Sequence, residues 1–236
     1  MSTAAAICAE VPESLRRPFD GPHSDIWLIA NNPKLRHFAL EDLPLGPDSL
    51  LVQFNGARFF DRLAGRDCFK DFLFMGRRDS YHGFVGVGTP RAPLLDRRRR
   101  RLRIGLIGGT PEPHLPALQQ GFPGAGWLHV PTGTLIMRGY PARLTASSGF
   151  VVLQIHLAIE QARAAAGLAP RPIHLVGFTG FARGAWPGHD WWTEQIALRK
   201  APVIRHAANA RERLHALRAL RWWAHHCWAL RHGRKN

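Results

Sequence analysis

Between Ser147 and Phe178 the chain sets out a turn, a helix and a strand in succession, and this unit narrows the fold more than any other feature. Ser147-Ser148-Gly149 is a polar turn, and Phe150 to Ala166 is apolar nearly all round and rich in Ala, Leu and Ile, as a buried helix is. Gly167 and Pro170 stop it, after which Ile173-His174-Leu175-Val176-Gly177-Phe178 reads as a central strand. A buried helix feeding a continuous apolar strand belongs to an α/β layer, because a strand covered on both faces has no polar alternation.

Other short apolar runs fit the same sheet. Ile26-Trp27-Leu28-Ile29-Ala30 closes on Asn31-Asn32-Pro33, and Leu50-Leu51-Val52-Gln53-Phe54 closes on Asn55-Gly56. Phe72 to Met75 and Leu102 to Ile107 add two further strands. After Pro187-Gly188, Asp190 is the N-cap of a helix to about Lys200, with Val203-Ile204 as a last short strand and a long helix from about Ala207 to Leu230. The expected fold is α/β, an open and mostly parallel doubly wound sheet of the Rossmann-like kind, with a long basic C-terminal helix. Residues 1–24, with Pro12, Pro18 and Pro22, read as a loose lead-in; residues 25–205 form the α/β domain; residues 206–236 form a Trp-rich basic helix and tail. In such a sheet the ligand lies at the carboxyl ends of the strands, where the polar turns gather.

Charge adds a constraint on partners. The chain has 32 Lys+Arg against 17 Asp+Glu, a net charge of +15, concentrated in Arg97 to Arg101 with Arg103 and in the segment from Arg205 to Lys235. This favours phosphate, carboxylate or anionic lipid. Cys8, Cys68 and Cys227 have no paired spacing, and neither a signal peptide nor an apolar run of about 18 residues is evident, so the expected setting is the cytoplasm, with peripheral membrane contact open.

The candidate chemistry lies in the turns. Ser147, Ser148 and Gly149 open a helix, where hydroxyls and amides cap the helix or cradle an anion. Asn31, Asn32 and Asn55 are turn residues at the ligand edge, since asparagine bonds locally and tolerates left-handed backbone. His189 stands just before its helix and Glu194 lies in the first turns. Near a helix N-terminus the dipole disfavours a charged imidazole, which suits a general base, while the plainer reading is an exposed residue before a capped helix. His156 and His174 read as packed within their elements.

These residues carry a resemblance to the sialyltransferases, both the animal-type family and related bacterial enzymes. Ile29-Ala30-Asn31-Asn32 with Leu51 to Asn55 is similar to the long sialyl motif, with Ala30 where the family has glycine. Ser147-Ser148-Gly149, the apolar helix and Ile173 to Phe178 resemble the short sialyl motif, and His189 and Glu194 fit the His-x4-Glu motif that follows it. The resemblance implies a Rossmann-like, GT-A-like transferase that moves sialic acid or a Kdo-like acidic sugar from a CMP donor to a glycan or glycolipid hydroxyl, with inversion and without a metal or other cofactor. It implies that Asn31, Asn32 and Asn55 contact the nucleotide. Ser147, Ser148, Gly149 and Gly177 then bind the donor, His189 is the catalytic base and Glu194 supports it. The absence of an Asp-x-Asp pair is compatible with metal independence. The competing class is a non-catalytic basic binding module on a transferase scaffold.

In the tail, Leu214, Leu217, Leu220, Ala224 and Trp228 recur at helical spacing, with Arg211, Arg218 and His225 on another face. The plain expectation is a terminal helix that packs this apolar stripe on the domain. The alternative, which Arg97 to Arg101 would assist, is a helix lying on an anionic membrane. Nucleic acid ranks below both, for want of a recognisable motif.

Overall fold

A computed structural model describes residues 11, 13–30, 32, 35, 38–54, 60–63, 72–77, 102–108, 126–130, 140, 144, 146–178, 189–206 and 216–232. Seven strands form one parallel sheet: β1 Asp25–Ile29, β2 Ser49–Phe54, β3 Phe72–Arg77, β4 Leu102–Gly108, β5 Gly126–Val130, β6 Ile173–Val176 and β7 Ile204–His206. Helices are α1 Glu13–Arg16, α2 Phe60–Leu63, α3 Ser148–Ala165, α4 Trp191–Lys200 and α5 Ala216–Arg231. The strand order is β5-β4-β3-β2-β1-β6-β7, with every neighbouring pair parallel. The chain therefore begins at the middle, winds out to β5, returns through α3 and winds out the other way, so strand order reverses between β1 and β6. In open α/β sheets that reversal is where two loops diverge and leave a crevice.

The sequence explains the centre of the sheet. Ile26 to Ile29 are all buried, as a strand covered on both faces requires. On one face Ile26 and Leu28 lie in register with Leu50 and Val52 of β2 and with Ile173 and Leu175 of β6. Val151, Val152, Ile155 and Ile159 of α3 join them in one core, together with Leu198 of α4. The opposite face carries Trp27, which stacks on His174 at 3.9 Å between ring centres and lies 5.0 Å from His206. The indole N–H donates to Asp25 at 2.9 Å, which satisfies the one polar group that a buried tryptophan carries.

Several elements differ from the sequence reading. β5 was not among the expected strands. α3 is buried or half-buried as far as Glu160, but Gln161, Ala162, Ala164 and Ala165 are exposed, so its final turn lies at the surface rather than being buried all round. Within the lead-in, α1 and the 3-10 turn Arg17–Phe19 bring Phe19 into the core at 2% exposure. At the C-terminus a helix spans Ala216–Arg231, and residues 207–215, where the expected helix begins, lie outside the described residues. His174 is half-buried in its strand, whereas His156 is fully buried with neither ring nitrogen hydrogen-bonded among the described residues. Burial holds the His156 pKa down at about 3, with Arg171 adding to the effect.

α3 is tied to β6 at its far end by charge. The Arg171 backbone N–H and Nε donate to the two carboxylate oxygens of Glu160 at 2.6 and 2.8 Å, and Nη1 donates to the Gly21 carbonyl at 2.8 Å. Both partners are buried, so the pair is held by hydrogen bonds from several sides, as a desolvated ion pair must be.

Candidate active site at the carboxyl edge of the sheet

At the strand reversal, the turns after β1 and β6 are joined by one side chain. Asn32 is buried, and its amide Nδ2 donates to the Gly177 carbonyl at 3.1 Å. Gly177 has φ of +77°, a left-handed conformation that favours glycine, and a Cβ there would lie 2.8 Å from Leu35. The next residue, Phe178, packs edge-on against Phe54 at the end of β2. Its ring also lies where a Cβ on Gly149 would be, at 2.6 Å. Gly149 thus lets the N-terminus of α3 come down onto the carboxyl end of β6.

The α3 N-terminus is held by α4. Ser147 caps the helix in the ordinary way, its Oγ accepting from the Phe150 N–H at 3.2 Å. Its own backbone N–H and hydroxyl both donate to Glu194, at 2.7 and 2.6 Å. Glu194 accepts a third bond from the Tyr140 hydroxyl at 3.0 Å, and that hydroxyl accepts from the Asp190 N–H at 2.8 Å. A continuous run of hydrogen bonds therefore links the start of α4, Tyr140, Glu194 and the start of α3. Glu194 is 2% exposed, and burial pushes its carboxyl up to about 7 although the Ser147 and Tyr140 donors favour the anion. Burial also raises the Tyr140 pKa, with Glu194 reinforcing it, so the phenol keeps its proton as a donor.

Asp190 does two jobs. One oxygen accepts from the Thr193 N–H at 3.3 Å, the expected N-cap of α4. The other meets Nδ1 of His226, on α5, at 2.7 Å. With Nδ1–H directed at a carboxylate, Nε2 is the nitrogen of His226 left to accept a proton. His189 is 8% exposed and stands edge-on to Trp191, with ring centres 5.1 Å apart.

Of the residues singled out in the sequence, Asn32, Gly177, Gly149 and Ser147 gather at one edge, and Glu194 joins them through Ser147. Ser148 is buried in the first turn of α3. His189 directly precedes the Asp190 cap of the helix that carries Glu194. Asn31 and Asn55 lie outside the described residues, as do Arg97 to Arg101. Tyr140 and His226 were not anticipated. Tyr140 is one of two tyrosines in the chain, and its isolation among Gly and Pro is the only sequence hint it offers. His226 sits in a run of Trp and His whose partner is far away in sequence. Among the described residues no three His, Cys, Asp or Glu side chains are grouped as a metal site.

Comparison with known proteins yields no protein-family model, no curated protein and no solved structure similar to this chain.

Proposed function

We propose that this chain is a metal-independent, inverting glycosyltransferase of Rossmann-like, GT-A-like architecture that transfers an acidic sugar from a CMP donor to a glycan or glycolipid hydroxyl. One observation carries the reading: Glu194 bonds the N–H and hydroxyl of Ser147, which couples the Ser147–Phe178 unit to the His189–Glu194 segment at the crevice edge. Those are the two segments that the resemblance pairs, and they meet where an open parallel sheet holds its ligand.

In this reading Glu194 is a positioning residue. With the Ser147 N–H turned to Glu194 and the Phe150 N–H to the Ser147 hydroxyl, the amides of Ser148 and Gly149 are the first-turn donors that lack an intrahelical acceptor. They are the groups to meet the donor phosphate, at the positive end of the α3 dipole. A carboxyl with its pKa raised to about 7 is partly protonated near neutrality, which lessens its repulsion of that phosphate. His189, before α4, takes the proton from the acceptor hydroxyl as the sugar's anomeric carbon passes to that oxygen and CMP departs. No redox partner is needed, and the leaving nucleotide carries away its bonding electron pair as the phosphate anion.

A second reading rests on the Asp190–His226 pair, which has the carboxylate-oriented imidazole that a general base commonly has. In it His226 is the base and His189 packs against Trp191. Transfer from a panel of CMP-sugars, measured on His189→Ala and His226→Ala, separates the two. The variant lacking the base loses roughly a hundredfold or more in kcat while CMP still raises its thermal midpoint. No midpoint shift of the unaltered protein at millimolar CMP overturns both readings.

A further inference from the structure

α5 docks the wrong way round for a helix whose apolar stripe seeks a core. Its inner side is made of His226 on Asp190, Trp222 edge-on to Trp191 with ring centres 6.3 Å apart, and the fully buried Ala229. Its outer side carries Leu220 at 59% exposure, Trp223 and Trp228 at 48% each and Leu230 at 53%. Seven large hydrophobic side chains are exposed among the described residues, and these are four of them, so the exposure is a property of this helix rather than scatter over the surface. Leu220, Ala224 and Trp228 belong to the stripe that its spacing suggested would pack on the domain, and all three face outward. The packing expectation is corrected: hydrogen bonds and ring contacts from the other side hold the helix, and they fix which face is left over.

Charge selects the occupant of that face. Arg221 and Arg231 are exposed among the apolar residues, and the sequence contains no Asp or Glu after Glu212 while Arg213, Arg218, Arg221, Arg231, Arg234 and Lys235 follow. A second copy would set arginines against arginines. A nucleic acid would use the arginines and tryptophans but leave the two leucines without a partner, since stacking needs a ring. An anionic bilayer surface satisfies all three residue types: leucine enters the acyl boundary, tryptophan sits at headgroup level and arginine meets lipid phosphate. No helix among the described residues is long and apolar enough to cross a membrane, so the mode is to lie on the surface.

We infer that the outward face of α5, through Leu220, Trp223, Trp228 and Leu230 with Arg221 and Arg231, docks this protein on anionic lipid. The inference stands independently of the transferase reading. The full chain is sedimented with phosphatidylcholine vesicles and with vesicles that also contain phosphatidylglycerol, alongside the W223S/W228S and L220S/L230S variants. Circular dichroism and the thermal midpoint check that both variants fold as the parent does, as substitutions at exposed positions should. The expected results are binding to the anionic vesicles at least roughly tenfold tighter than to neutral ones, a blue shift of tryptophan emission on binding, and at least roughly tenfold weaker binding by each folded variant. Variants that bind anionic vesicles as the parent does overturn the inference. So do absent vesicle binding with tight capture of a single-stranded oligonucleotide, and absent vesicle binding with a dimer that the variants abolish.

Discussion

Replacing Glu194 by glutamine isolates the energetics of the junction between α3 and α4. The carboxyl accepts three hydrogen bonds at 2.6 to 3.0 Å and is 2% exposed, and its pKa rises from 4.5 to about 7 because burial outweighs those donors. A carboxyl whose folded pKa is raised holds its proton longer in the native state. Its stability contribution is therefore full below the unfolded pKa and is lost as pH rises through the folded one. The difference between 4.5 and about 7 corresponds to about 3 kcal/mol in all, most of it falling between pH 5 and pH 8. Glutamine does not titrate, and its NH2 can donate to the Ser147 hydroxyl much as a protonated carboxyl would. The two proteins should thus have similar stability at pH 5, within about 1 kcal/mol, and the glutamine variant should be the more stable by about 2 kcal/mol at pH 8. Urea unfolding of both at pH 5, 6, 7 and 8 measures this, and because only the difference is read, other titrating groups cancel. A gap that stays constant with pH would mean that burial does not raise the pKa of this carboxyl. So would one that opens in the opposite sense, since the donors would then outweigh desolvation.

Three further outcomes follow from particular contacts. Gly149→Ala places a methyl 2.6 Å from the Phe178 ring, so urea unfolding should show a loss of about 1–3 kcal/mol, and an unchanged midpoint would mean that the ring moves aside freely. Glu160→Ala leaves the buried Arg171 guanidinium only the half-exposed Asp20 carboxylate, 3.6 Å away, and should cost about 3–5 kcal/mol by the same measurement, whereas a loss under about 1 kcal/mol would contradict the described pairing. His156 has its pKa lowered from 6.5 to about 3, so its burial costs stability as pH falls below 6.5; His156→Leu should gain about 2 kcal/mol relative to the parent between pH 8 and pH 5, and parallel pH profiles of the two would oppose it.

The parts of this fold that the sequence made legible are those settled by near neighbours. Ser147 and Asp190 cap their helices because a cap bonds to an amide three residues on, and the central strands β1, β2 and β6 are runs of residues whose burial on both faces is written in their lack of alternation. β5 escaped because Gly126-Trp127-Leu128-His129-Val130 mixes a glycine and a histidine into its short span. The candidate site was legible as turns gathering at the crevice edge, but not as a network. Tyr140, Glu194 and Ser147 meet across 47 and 54 residues of chain, and His226 meets Asp190 across 36, distances over which no local pattern operates. The tail shows the same boundary: periodicity sorts α5 into faces, yet only the partners of His226 and Trp222 decide which face turns inward.

The bond from Asn32 to Gly177 has a consequence for how a molecule could enter. Two loops that part company at a strand reversal would ordinarily be at liberty to spread, like the pages of a book opened at its spine. Here a buried carboxamide stitches the pages together just above the spine. On the transferase proposal, that bond resists spreading of the two turns at the base of the reversal when a ligand enters. On the same proposal, selection among donor sugars falls to residues above this bond rather than to the base it closes.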